Sequence, residues 1–280
     1  MPLNAKRRVS KRPVAELYMS DTEFDIIRRY FTRQDSNRGD VVTGIGDDAA
    51  LLRVPAGMEL VVCMDTLVDG VHFPGGTPAT AIGHKALAVN LSDLAAVGAE
   101  PAWVTLALTL PTADQAWVAR FMAGFAALAG QHGVQLIGGD TTRGALSMTL
   151  QVHGFVEPDR ALTRSGGRPG DRLFVSGTLG DAALALLRLE ALAGATDAID
   201  ADLLARLEQP EPRVALGRLL AGHASCAIDI SDGLVADLGH LCRASGCGAR
   251  IDLARLPLSP AVAAAVGDGG WQSVLTGGDD

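Results

Sequence analysis

Two glycines followed by two adjacent carboxylates, Gly44-Ile45-Gly46-Asp47-Asp48-Ala49, make an awkward stretch to build unless a cation sits beside it. The glycines let the backbone bend closely round a ligand, and Asp47 and Asp48 offer hard oxygens of the kind Mg²⁺ and Ca²⁺ prefer. Alone, the stretch fits a solvated turn before a strand better than a cation site. Acidic loops of the same character recur, however, at Asp65-Thr66, Asn90-Leu91-Ser92-Asp93, Gly138-Gly139-Asp140, Asp229-Ile230-Ser231-Asp232-Gly233 and Gly277-Gly278-Asp279-Asp280, with no comparable store of cations to pair with them. Asp48, Asp65, Asp93, Asp140, Asp229 and Asp232 therefore each stand in or beside a Gly/Ser/Thr/Asn turn. Brought together bare they would repel one another strongly in a partly dry site, so they either stay apart or share several metal ions. All-oxygen ligation suits Mg²⁺ rather than zinc, and several Mg²⁺ ions suit a polyphosphate substrate.

Other chemistries lack their residues. Gly44-x-Gly46-x-x-Ala49 imitates a dinucleotide-binding fingerprint, but that motif opens a helix, whereas Ala50-Leu51-Leu52-Arg53-Val54-Pro55 reads as a short strand ended by a Pro-Ala-Gly turn. There is no G-x-x-x-x-G-K phosphate loop, no H-E-x-x-H and no G-x-S-x-G elbow. The four cysteines, Cys63, Cys226, Cys242 and Cys247, form no C-x-x-C pair or zinc spacing and read as reduced thiols of a cytoplasmic protein. A net charge of -8 with no basic stripe beyond the first dozen residues argues against nucleic acid as a partner. No run of about 18 apolar residues offers a membrane span.

The elements that must position these residues follow from periodicity. Thirty-three glycines, 48% hydrophobic and 4% aromatic residues in 280 predict alanine-rich helices alternating with Val/Leu strands, an α/β fold. Residues 1–20 form a basic tail without an apolar core, either disordered or the result of a start upstream of Met19. Ser20-x-x-Glu23 has the form of a capping box, and Phe24, Ile27, Tyr30 and Phe31 follow at helical spacing. Two strands flank the opening motif, and Glu59 to Met64 forms a strand running into Asp65. Thr77-Pro78 predicts an N-cap and first position for a helix to Val97, which sets Lys85, Asn90 and Asp93 near one stripe and leaves Asn90, Ser92 and Asp93 partly buried and in need of partners. Further expectations are a strand over 102–110, a helix over 113–132 stopped by Gly133, a strand over 134–137 delivering the loop 138–144, and a strand over 146–155. Asp140 and Arg143 in that loop could take metal and phosphate. A change of character at Glu157-Pro158-Asp159 divides residues 21–156 from 157–280. In the second half the pattern predicts a flexible basic loop at 163–167, a strand over 172–176, a helix opened by Gly177 to Asp181, two Ala/Leu-rich helices separated by Gln209-Pro210-Glu211-Pro212, a strand ending at Asp229 and a helix over 234–245. The chain ends where another strand is expected.

Seven of these stretches in one order, at 44–49, 65–73, 85–93, 138–143, 162–166, 229–233 and 277–280, resemble the motif set of the thiamine-monophosphate kinase family, within the aminoimidazole-ribonucleotide-synthetase-like superfamily. The resemblance runs from about Phe24 to Asp280. It implies a two-domain α/β (α+β) synthetase-like fold, a homodimer whose N-terminal strands share a barrel, and ATP-dependent phosphorylation of thiamine monophosphate to thiamine diphosphate. By position it makes Asp48, Asp65, Asp93, Asp140, Asp229 and Asp232 ligands of several Mg²⁺ ions. It likewise gives Gly139, Asp140, Arg164 and Ser231 contacts to ATP, and His72 and Asp279 contacts to thiamine phosphate.

Three departures accompany the resemblance. Cys63-Met64 replace hydroxyl side chains before Asp65, so metal contacts there would fall to backbone carbonyls. Asp279 stands for a longer glutamate, and a tail bearing an aromatic wall for the thiamine rings is expected beyond Asp280. Two alternatives remain open on sequence alone: a catalytically silent Mg-ATP-binding subunit, and another ATP-using synthetase of the same superfamily.

Overall fold

The computed structural model describes residues 30–32, 37–192, 194–267 and 269–278. The basic tail, most of the expected first helix, and Asp279 and Asp280 lie outside the described residues. Strands β1 (Val41–Thr43) and β2 (Leu51–Leu52) pair antiparallel across the Gly44–Ala49 loop. A four-stranded sheet follows, built from β3 (Glu59–Val68), β4 (Glu100–Leu110), β5 (Gln135–Arg143) and β6 (Ser147–Val156) in the order β3-β6-β4-β5. Only β4 and β5 run parallel, because the helix between them carries the chain back to the starting edge.

Helices α1 (Ala79–Val97) and α2 (Gln115–His132) cover one face of this sheet. Alternation decides the face: Val104, Leu106, Leu108, Met148, Leu150 and Val152 are buried with the helices, while Leu60, Val62 and Met64 on β3 point to the other side and are exposed. The helices cross at glycines. A Cβ at Gly83 would sit on the Phe121 carbonyl and one at Gly124 on the Thr80 carbonyl, so no larger residue permits this approach. The Asp114 carboxylate caps α2 by accepting from the N–H groups of Ala116 and Trp117 at 2.9 and 3.0 Å, and Gly133 ends it in the left-handed region at φ 64°. The helix accordingly starts at Gln115 rather than Ala113. Pro78 takes the N-cap of α1 in place of the expected Thr77, whose hydroxyl donates to the Pro74 carbonyl instead.

Beyond β6, Glu157–Asp159 form a turn in which Asp159 has a φ of 61°. Helices α3 (Asp181–Ala191), α4 (Ala201–Glu208), α5 (Val214–Leu220), α6 (Leu234–Ser245), α7 (Pro260–Gly267) and α8 (Trp271–Thr276) follow. A second core gathers Leu179, Ala185, Leu203, Leu234, Val262 and Val274. Helix α5 is pressed onto the end of α1: a Cβ at Gly217 would overlap the Ala95 carbonyl, and Arg218 pairs with Glu100 of β4 at 2.7 Å.

Three expectations are corrected. Residues 138–143 continue β5 instead of leaving it as a loop, because their backbone pairs with Thr105–Leu110 of β4. Segments 172–176 and 227–229 form no strand among the described residues; an apolar run becomes a strand only where a neighbour completes the ladder, and Phe174 is 86% exposed. The strand expected over 59–64 runs on through Asp65 to Val68, because its backbone pairs with Ser147–Leu150 of β6.

Candidate active site

The last two turns of α1 press against β3, and there the first carboxylates meet. Asn90, 0% exposed, accepts a hydrogen bond from the Asp65 N–H at 3.2 Å and donates from Nδ2 to the Ala86 carbonyl at 3.0 Å. Its own carbonyl lies 3.4 Å from the Cys63 Sγ, which donates to it. The buried amide thus holds the β3 backbone at Asp65. Lys85, placed on the same stripe by spacing, turns the other way: its buried ammonium donates to the Leu207 carbonyl at the end of α4, 3.1 Å away.

Asp65, Asp93 and Asp229 form an interacting group with Cys63. Burial, then the charges of Asp229 and Asp65, push the Asp93 carboxyl up to about 6 from an ordinary 3.8, against a hydrogen bond from Cys63 and the attraction of Arg164. Burial raises Asp65 as well, opposed by His72 and a hydrogen bond with Asp93. Burial likewise raises Asp229, with Asp237 adding to it, while hydrogen bonds to backbone and Ser92 and the charge of Arg164 oppose it. The Cys63 thiol is pushed far up by burial and by Asp93 and Asp65, so it is a neutral donor here rather than a thiolate ligand. Met64 faces the opposite side of the sheet and is 61% exposed.

Cys63, Asp93 and Asp229, with Thr163 and Arg164, wall a cleft of about 380 Å³ between the sheet half and the helical half, and Asp65 interacts with Asp93 beside it. Two loops from the second half close it. The 163–167 loop is held by Ser245, whose hydroxyl accepts from the Gly167 N–H at 3.0 Å and donates to the Arg164 carbonyl at 3.3 Å. The 229–233 loop exposes Ser231 and Asp232, and the Asp237 carboxylate accepts from the N–H groups of Ser231, Asp232 and Gly233, each at 3.1 Å. Asp237 carries little signal in the sequence beyond being an acid in the first turn after Ser-Asp-Gly. His72, exposed, accepts from the Val68 N–H through Nδ1 at 3.0 Å, which leaves the proton of the neutral ring on Nε2.

The six carboxylates do not converge within one chain. Asp140 lies exposed on β5, at the opposite edge of the sheet from Asp65 on β3, with β6 and β4 between them, about 14 Å of strand spacing. Asp48 lies exposed in the β1–β2 loop, whose Gly44 approaches the Ile137 carbonyl of β5. Gly139, at φ 155°, has a packing reason of its own, since a Cβ there would overlap the Leu106 carbonyl across the ladder. Among the described residues no three His, Cys, Asp or Glu side chains already surround one point as a metal cage. Mg²⁺ does not require one, because it keeps waters and takes one or two carboxylates together with substrate phosphates, and the all-oxygen set with an unbalanced negative charge fits that habit.

Both halves of the chain match the family described as AIR synthase related protein, residues 46–156 its N-terminal domain and residues 168–270 its C-terminal domain. Thiamine-monophosphate kinase of Escherichia coli K12 is 52% identical over 264 residues, covering 94% of this chain and 81% of the relative. A crystal structure of thiamine-monophosphate kinase from Stenotrophomonas maltophilia K279a superposes with a TM-score of 0.81 at 51% identity, covering 87% of this chain and 79% of that one. The solved complex of AaThiL with AMPPCP and TMP gives 0.74 at 33% identity, covering 84% and 77%. The chain belongs to the thiamine-monophosphate kinase family.

Proposed function

We infer that the chain transfers the γ-phosphoryl group of ATP to thiamine monophosphate, giving thiamine diphosphate and ADP. The observation that carries the chemistry is the cleft in which Asp93 and Asp229, with Asp65 interacting beside Asp93, outnumber the single guanidinium of Arg164. Such a site demands divalent cations, and Mg²⁺ bound there supplies the charge neutralisation that lets two polyanions meet. Asp65, Asp93 and Asp229, with Asp232 beside them, would hold it. Arg164 and the Ser231 hydroxyl meet the ATP phosphates, with Gly139 at β5. His72 donates through Nε2 to the phosphate of thiamine monophosphate, and Asp279 contacts the same substrate.

No general base is required. A phosphate monoester is already an oxygen nucleophile near neutral pH. Its oxygen forms the new bond to Pγ as the bond from Pγ to the β,γ-bridging oxygen breaks, and ADP leaves with the electron pair. Transfer is direct, with no phosphoenzyme.

Asp48 and Asp140 enter through a second copy. Among the described residues of each copy β3 and β5 are the edges of the sheet, and the apolar row Leu60, Val62 and Met64 is exposed on the face away from the helices. Closing two sheets into a shared barrel covers that face and sets the β5 edge of one copy beside the β3 edge of the other. The division of the chain near Glu157–Asp159 and a cytoplasmic location complete the reading; among the described residues no helix is long and apolar enough to cross a membrane.

The test is to incubate the chain with ATP, Mg²⁺ and thiamine monophosphate and follow thiamine diphosphate by the fluorescence of its oxidised form, with Asp140→Ala as control. Product that disappears in the control is expected. ATP binding without product would replace the kinase with a silent nucleotide-binding subunit, and a trapped phosphoprotein on the reaction path would refute direct transfer.

A further inference from the structure

The 229–233 loop carries two of the acidic side chains and the serine assigned to the phosphate end of the site, yet it belongs to no strand or helix. A segment without a ladder holds its side chains in place only if its backbone polar groups are tied elsewhere. Three consecutive N–H groups, those of Ser231, Asp232 and Gly233, converge on the same oxygen, Oδ2 of Asp237, each at 3.1 Å. Asp237 is 3% exposed and sits in the first turn of α6, so its carboxylate reaches back over the helix start. Charge-assisted bonds from three neighbouring amides fix the dihedral angles between them.

The opposite flank of the loop is closed as tightly. Gly233 has a φ of 109°, and a Cβ there would meet the Thr276 backbone; a Cβ at Gly278 would overlap the Ser231 carbonyl. The loop is therefore wedged between the Asp237 carboxylate and the segment 276–278 that leads toward Asp279.

We propose that Asp237 is a positioning residue for phosphoryl transfer, its carboxylate binding the three amides of Ser231, Asp232 and Gly233 so that Asp229, Ser231 and Asp232 are presented to the cleft in one fixed arrangement. The proposal rests on the kinase reading for its consequence, and on geometry alone for the anchoring. Residues that orient metal ligands without touching the metal alter metal affinity by about 10- to 100-fold when removed, which sets the expected size of the effect. Asparagine at 237 keeps the shape and one acceptor oxygen but loses the charge that three amides share.

The experiment compares the full wild-type chain with Asp237→Asn and, as a stability control, Leu234→Ala, which trims a buried apolar side chain of the same helix. Amide hydrogen exchange is measured without metal, and AMPPCP binding is measured by calorimetry across a Mg²⁺ titration. In the wild type the amides of 231–233 exchange as slowly as the buried core of this half. In Asp237→Asn they exchange faster while the amides of α3 do not, and the Mg²⁺ needed for half-maximal AMPPCP binding rises about 10- to 100-fold. Leu234→Ala lowers the melting temperature without that rise. Free exchange of these amides in the wild type overturns the proposal, and needs no variant to fold. So does an Asp237→Asn chain whose Mg²⁺ requirement matches that of Leu234→Ala. A wild-type chain that binds no AMPPCP refutes the kinase reading instead, and the exchange rates still decide whether Asp237 holds the loop.

Discussion

Asp93→Asn should stabilise the metal-free protein while removing its function. Asp93 faces Asp229 and Asp65 in a half-buried site, and its carboxyl is pushed up to about 6 from 3.8. At about 1.4 kcal/mol for each tenfold change in proton affinity, that rise corresponds to roughly 3 kcal/mol. Asp93 is only partly withdrawn from water, so solvent screening reduces the figure to on the order of 1–2 kcal/mol. The sign follows from proton counting. Between pH 3.8 and about 6 the folded chain retains a proton that the unfolded chain has lost, so stability falls as pH rises through this window, and the penalty is complete above it. Asparagine carries no such penalty. Urea unfolding in EDTA at pH 4 and pH 7.5 should give equal stabilities for the two chains at the lower pH and a variant more stable by about 1–2 kcal/mol at the higher. Added Mg²⁺ should reverse the order by stabilising the wild type alone. Equal destabilisation of the variant at both pH values would show that Asp93 is not held against the repulsion of its neighbours.

Four further outcomes are expected. Asn90→Leu leaves the Asp65 N–H without its acceptor and should cost about 1–3 kcal/mol in urea unfolding, with a loss of activity greater than the loss of folded protein. Gly83→Ala drives a methyl group into the Phe121 carbonyl and should cost about 1–3 kcal/mol by forcing α1 and α2 apart, read as a lower urea midpoint with unchanged slope. Asp114→Ala removes the cap of α2 and should cost about 1 kcal/mol while KM for both substrates stays unchanged. His72→Leu should raise KM for thiamine monophosphate by about 10-fold or more, the worth of one hydrogen bond to a charged group, and leave KM for ATP unaltered.

The chemistry of the site was legible because it depends on residue type. Mg²⁺ chemistry needs carboxylates amid small and polar residues, and each of the stretches at 44–49, 65–73, 138–143 and 229–233 sets its acid among Gly, Ser or Thr. The partly buried Asn90 was legible too, since a polar residue amid Ala-Val-Leu must find a partner. Helix α6 was marked by its own sequence over its full length, closed by Gly246 at φ 66°. Asp237 was not. An acid in the first turn of a helix is ordinary, and only the fold of the preceding loop turns three amides toward it.

By itself the sequence determined the α/β class, the position of most helices and strands, and the kind of ligand, all of which follow from local periodicity and the hardness of oxygen donors. Tertiary structure decided which acids meet. The order β3-β6-β4-β5 puts Asp65 and Asp140 on opposite edges, and strand order is set by pairings between residues far apart in the chain. The same holds for residues 172–176, whose apolar run reads as a strand but has no ladder among the described residues, and for Lys85, which turned toward Leu207 because α4 packs there. Spacing along a chain fixes the face a side chain occupies; what stands opposite that face is supplied by the rest of the fold.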